Sequence, residues 1–128
     1  MRHIAALLLL AVSLSPVAFS AVTPDDGNKL LDSCKDYPRA SQLTAEVDRV
    51  KVMYCVGYVG GFTDGLIVSK GLMKDKSGPP NVCAPEQGVQ HGQAVLVVLK
   101  WLNEHPNLLH QDAPLLITLA LEEGFPCK

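Results

Sequence analysis

Cys34, Cys55, Cys83 and Cys127, with His91, His105 and His110, are the side chains of this sequence with the most chemistry open to them. A thiol nucleophile needs a free cysteine beside a histidine. A structural metal needs closely spaced ligands, and the cysteine spacings of 21, 28 and 44 contain no CxxC pair and match no zinc module. His91 and His105 fall on roughly one face of an expected helix. Fourteen residues separate them, about 21 Å of helical rise, too far to share one ion. His105 and His110 flank a turn and can meet, but two ligands do not make a site. Asp64 has no acidic partner nearby in the sequence, and Glu122-Glu123 reads as a solvated pair at a helix end. Neither a Gly-x-Ser-x-Gly nor a His-Glu-x-x-His motif occurs. The expectation is a protein without catalytic residues, metal or cofactor.

The fate of the cysteines depends on the compartment. Arg2 and His3 open the chain, Ile4 to Val12 is an unbroken apolar run, and Ala18-Phe19-Ser20 places small residues at the −3 and −1 positions. That is the layout of a signal peptide cleaved after Ser20. Ser13, Ser15 and Pro16 interrupt it too early for it to span the roughly 30 Å of a bilayer's hydrocarbon core. The expected domains are therefore 1–20, a signal peptide, and 21–128, one folded unit with no membrane attachment after cleavage. The whole chain has 128 residues, is 48% hydrophobic and 19% charged, and carries a net charge of −2. Removing residues 1–20 leaves 108 residues and a net charge of −3. This is too apolar for disorder and lacks the basic excess that nucleic acid requires.

An even number of cysteines in a small exported domain reads as two disulfides. The midpoint of Cys83 and Cys127 falls on His105-Pro106-Asn107, the turn between two expected helices, so an antiparallel hairpin brings these cysteines together. Cys34 and Cys55 similarly flank a turn around Tyr37 to Ser41. The expected pairs are Cys34–Cys55 and Cys83–Cys127. Each closure stabilises by roughly 3–4 kcal/mol in the loop-entropy model.

These cysteines must be carried by helices. Asp26 or Asn28 can cap a first short helix bearing Leu30, Leu31 and Cys34, which Tyr37-Pro38 ends. Thr44 to Leu72 holds the longest helical pattern. At 100° per residue, Tyr54, Tyr58 and Phe62 form one stripe and Gly57, Gly61 and Gly65 a neighbouring one. The apolar arc is wide, so this helix is expected to be central and packed on several sides. Each glycine costs about 1 kcal/mol relative to alanine, which close approach of another helix would offset; Gly57, Gly61 and Gly65 are thus expected at a close helix contact. Residues 70–85 read as a loop, broken by Ser77-Gly78-Pro79-Pro80, and carry Lys70, Lys74 and Lys76. Two further helices are expected over 86–104 and 112–123, with Pro85 and Pro114 in their first turns, Asp112 as an N-cap, and Gly124 and Pro126 as a stop. The fold class is all-α, a small bundle of four to five helices.

Several elements can then be read together. They are Gly27-Asn28-x-Leu30-Leu31-x-x-Cys34, Cys55-Val56-Gly57-Tyr58-Val59-x-Gly61-x-x-Asp64, and Cys83-x-Pro85. They continue with Gln93-x-x-x-Val97-x-x-x-Trp101-Leu102-x-x-His105-Pro106 and Ala120-Leu121-x-x-x-Phe125-Pro126-Cys127. Their order and spacing over residues 27–127 resemble the Rap/Tai family of type VI secretion immunity proteins. The resemblance implies a periplasmic all-α protein that binds a peptidoglycan amidase effector and occludes its Cys–His active site. Some members act as homodimers. The matching residues are chiefly glycine, cysteine and apolar positions, so specificity is expected on variable surface residues. Asp64, Lys70, Lys74 and Lys76 are the candidate partner-binding residues. The alternatives are a small periplasmic stress or chaperone-like helical protein without a cognate toxin, and a catalytic thiol or metal protein.

Overall fold

Among the described residues, 25–73 and 80–127 of a computed structural model, the backbone forms four α-helices and two short 3-10 turns, with no strand. The helices are α1 (Gly27–Cys34), α2 (Glu46–Leu72), α3 (His91–Glu104) and α4 (Ala113–Gly124). The 3-10 turns span Tyr37–Gln42 and Pro106–Leu108. The segment expected to be a signal peptide, with Lys74 and Lys76, lies outside the described residues.

Local signals explain most boundaries. The Asp26 carboxylate accepts from the Lys29 N–H at 2.9 Å and caps α1. Pro114 occupies the first turn of α4, where its missing N–H costs nothing. Asp112 precedes α4 as expected, but its side chain accepts no capping bond. Its backbone instead joins the start of α1: Ala113 N–H donates to Asp25 O at 2.7 Å, and Gly27 N–H to Gln111 O at 3.0 Å. The third helix starts at His91 rather than residue 86. A turn closed by Gly88 N–H donating to Pro85 O at 2.8 Å, with Gly88 at φ +77°, delays it. The left-handed backbone at Gly88 cannot continue a right-handed helix.

The core lies where α3 meets the other three helices. Leu30 from α1, Val59 from α2, Val95, Val98 and Leu102 from α3, and Leu116, Ile117 and Leu121 from α4 are 0–1% exposed. Cys34 and Cys55 form a disulfide inside this core, both 0% exposed, and so pin α1 to α2. The second bond, Cys83–Cys127, sits at the rim: Cys83 is exposed and Cys127 half-buried. It ties the start of the second helical pair to its end, beside Cys83 N–H donating to Phe125 O at 2.9 Å. Both expected pairings are present, and no free cysteine occurs among the described residues.

A second link between α1 and α2 is ionic. Asp32 accepts from Lys35 and from Lys51, the latter at 2.6 Å. The Lys35 bond, then the Lys51 bond, hold the Asp32 carboxyl down to about 2. An exposed carboxylate with a depressed folded-state pKa contributes stability that is complete above the unfolded value of about 4 and is lost as pH falls towards 2.

Two outcomes follow from this arrangement. Graded reduction with dithiothreitol, followed by alkylation and mass mapping, should label Cys83 and Cys127 well before Cys34 and Cys55, because thiolate attack requires access. Labelling of Cys34 and Cys55 first would contradict the burial order. In an NMR titration, Lys35→Met should move the Asp32 midpoint from about 2 towards the ordinary aspartate value of about 4. An unchanged midpoint would remove Lys35 as the principal cause.

Candidate interaction surface

Helix α2 is 27 residues long, about 40 Å of rise. Its inward face is fixed by Cys55, whose disulfide points it into the core; Val52, Val59, Thr63 and Lys70 fall on the same side and are buried. The opposite arc is in solvent. Val47, Val50, Met53, Val68 and Leu72 are 57–81% exposed, and Tyr54 is 38% exposed. Among the described residues α2 packs against α1, α3 and α4, and it does so through one broad face. Single exposed apolar residues are ordinary, but apolar side chains gathered along one helix face make it a candidate interaction surface. By length and composition α2 could cross a membrane. However, the buried disulfide and its packing against α1 and α3 tie it into the bundle.

The glycines divide in an unexpected way. At Gly57, Gly61 and Gly65 a Cβ would meet no described atom within 4 Å. The close helix contact expected there falls instead on Gly60, where a Cβ would lie 2.8 Å from the His91 ring. His91 Nε2 reaches across to Asp64 Oδ2 at 2.9 Å, so ring and carboxylate join the start of α3 to the middle of α2. Asp64, a candidate partner-binding residue, is therefore engaged with His91 while remaining 57% exposed. At the other end of the face, the Tyr54 and Tyr58 rings stack at 5.6 Å, and Lys29 Nζ lies 6.0 Å from the Tyr54 centroid.

Lys70 departs from its expected place. Its side chain is buried, lines a groove with Val82 and Ala84, and donates to Pro80 O at 2.9 Å. It braces the base of the segment that follows α2 rather than presenting charge to a partner. The structure does not bring Lys70 and Asp64 onto one face.

Among the described residues all four cysteines are paired, and no group of three or more His, Cys, Asp or Glu side chains is placed to hold a metal. His105 stacks on Trp101 at 4.0 Å, with its Nδ1 2.8 Å from Trp101 O. The Trp101 indole N–H donates to Glu123 at 3.0 Å. These contacts close the α3–α4 side and leave a shallow groove of about 140 Å³ between Val97, Trp101, Ala120 and Gly124.

The fold and surface together define a small disulfide-stapled helical binding module. The chain belongs to the family of Rap1a immunity proteins, whose model matches residues 26–127. No curated protein and no solved structure matches it significantly. Membership gives this module the task of binding a cognate effector.

The sequence reading missed Val47, Val50, Met53, Val68 and Leu72 as surface residues. The signal was present in Cys55: once it is paired inward, every residue half a turn away on α2 must face outward.

The open glycines should respond oppositely to the packed one in α1. In urea unfolding of dilute protein, Gly57→Ala, Gly61→Ala and Gly65→Ala should each stabilise by about 1 kcal/mol, through helix propensity. Gly27→Ala should destabilise by about 1–3 kcal/mol, because its Cβ would overlap Leu116 Cδ1 and lie 2.9 Å from Leu109 O. Destabilisation by all four would show that the glycine face of α2 is packed within the monomer.

Proposed function

We propose that the protein is a periplasmic immunity protein that binds a type VI secretion peptidoglycan amidase effector and inhibits it by blocking its active site. Family membership over residues 26–127 is the observation that carries this reading. Two disulfides suit an oxidising compartment, in keeping with export by a cleavable signal over residues 1–20. Inhibition by occlusion needs a firm body and a protruding contact, and no catalytic group of its own.

The contact with the amidase lies at the end of α2. Leu72 is 81% and Met73 38% exposed, and Lys74 and Lys76 follow them in the sequence. Lys70, through Pro80 O, and the Cys83–Cys127 bond brace the far side of this segment. Bracing the base of a contact segment lowers the ordering cost on binding and so raises affinity. Lys70 thus acts as a support, and Lys74 and Lys76 supply charge to the amidase surface.

The test is a pull-down of the protein against a panel of purified type VI amidases, followed by peptidoglycan hydrolysis assays. One amidase should be bound and inhibited, and K74E/K76E should weaken inhibition at least about tenfold, a loss of about 1.4 kcal/mol. The reading fails if no amidase is bound or inhibited and deletion leaves cells unharmed by siblings. Suppression of client aggregation in acid without amidase binding would replace it with a chaperone-like role.

A further inference from the structure

The two disulfides differ in what can reach them. Cys34–Cys55 is sealed, both residues at 0% exposure, whereas Cys83 is exposed and Cys127 half-buried. We infer that Cys83–Cys127 is a thiol–disulfide exchange site, opened and reclosed by a vicinal dithiol of the Cys-x-x-Cys class while the helical bundle stays folded.

The bond joins two short segments that are also held together without it. Cys83 N–H donates to Phe125 O at 2.9 Å, Asn81 N–H donates to Glu122 Oε1 at 2.7 Å, and Val82 and Pro126 form an antiparallel bridge. Val82 and Phe125 are buried in the core cluster, which anchors both segments. The two Cα atoms stand 4.9 Å apart. Opening the bond leaves these ties in place, so the thiols stay within the roughly 4.4–6.8 Å between Cα atoms that a disulfide spans. Approach is also provided. A groove of about 220 Å³, lined by Ile67, Lys70, Gly71, Val82 and Ala84, opens beside Cys83. Its mostly apolar walls can seat the residues that flank an attacking cysteine. The Lys70 ammonium, which donates to Pro80 O, brings positive charge to this groove and favours a thiolate at Cys83.

The exchange balances between the two partners. One thiolate of the dithiol attacks Sγ of Cys83, the more exposed residue of the pair. The S–S bond breaks and its electron pair leaves on Cys127. The second thiolate of the dithiol then attacks the dithiol's own sulfur in the mixed disulfide and expels Cys83 as a thiolate. The dithiol is oxidised by two electrons and the protein pair is reduced by two. The two protons of the dithiol end on Cys83 and Cys127. The same steps in reverse, from the oxidised partner, reclose the bond. Cys34–Cys55 stays intact throughout, because exchange requires access to a sulfur. The protein thus has two covalent states on one fold, a closed bridge and a surface dithiol.

This inference concerns the protein alone and does not depend on the amidase reading, so the two can fail separately. Brief treatment with reduced glutathione, an acid quench and peptide mass mapping should place the first adduct on Cys83, with Cys127 released as a thiol. Dithiothreitol should then open the pair completely, with Cys34–Cys55 intact and the far-UV circular dichroism unchanged. Exchange into oxidised dithiothreitol should restore the bond. Glu122→Ala removes one tie between the two segments and should slow reclosure about two- to tenfold, the worth of one hydrogen bond. A first adduct on Cys127, loss of helix when the pair opens, opening of Cys34–Cys55 at the same time, or failure to reclose would each overturn the proposal. So would reclosure of Glu122→Ala as fast as that of the unchanged protein.

Discussion

A helix of 27 residues stands, among the described residues, in a domain whose other helices have 8, 14 and 12. Helix α2 extends about 40 Å, whereas α1, α3 and α4 reach about 12, 21 and 18 Å. The three shorter helices form one layer against it. This mismatch governs the rest of the structure. It places the core on one side of α2, where α3 meets all three neighbours, and leaves the other side to water. A domain of this size buries only about two-thirds of the surface its unfolded chain exposes. Its core is therefore supplemented by covalent links rather than by more apolar residues.

The two disulfides do different work because of where they lie. Cys34–Cys55 is inside the core and sets the rotation of α2 about its own axis. That rotation decides which residues become surface. Cys83–Cys127 lies at the rim and closes the hairpin of α3 and α4 without contributing to the packed interior. Around them, short polar links hold the elements in register. Asp32 bridges α1 to α2, His91–Asp64 joins α2 to α3, and Trp101–Glu123 joins α3 to α4.

The helical class, the four principal helices and both cysteine pairings were legible in the sequence. They rest on local chemistry: Asp26 as a cap, Pro114 in a first turn, and turns lying between bonded cysteines. The start of α3 was misread because Pro85, Glu86 and Gln87 suit a helix individually; the positive φ at Gly88 overrides them. The glycine stripe was misread for another reason. A helical wheel gives the angle between residues but not which angle holds a neighbour. Gly57, Gly61 and Gly65 share a face with open space, whereas Gly60, a single position away, lies beneath the His91 ring. Lys70 shows the opposite error. Its charge placed it with the loop, yet it sits seven residues after buried Thr63, on the inward side. Periodicity outweighs side-chain type there, because a lysine can bury its aliphatic stem and still reach a carbonyl with its ammonium.

Trp101 is the single tryptophan of the chain. Its indole is stacked on His105 and hydrogen-bonded to Glu123, on the side where α3 and α4 close. The exposed face of α2 carries tyrosine but no tryptophan. The molecule thus has one intrinsic indole fluorophore, located in the half stapled by Cys83–Cys127 and remote in sequence from α2. Its emission is a local optical gauge of that half: it reads the integrity of the α3–α4 hairpin separately from events on α2.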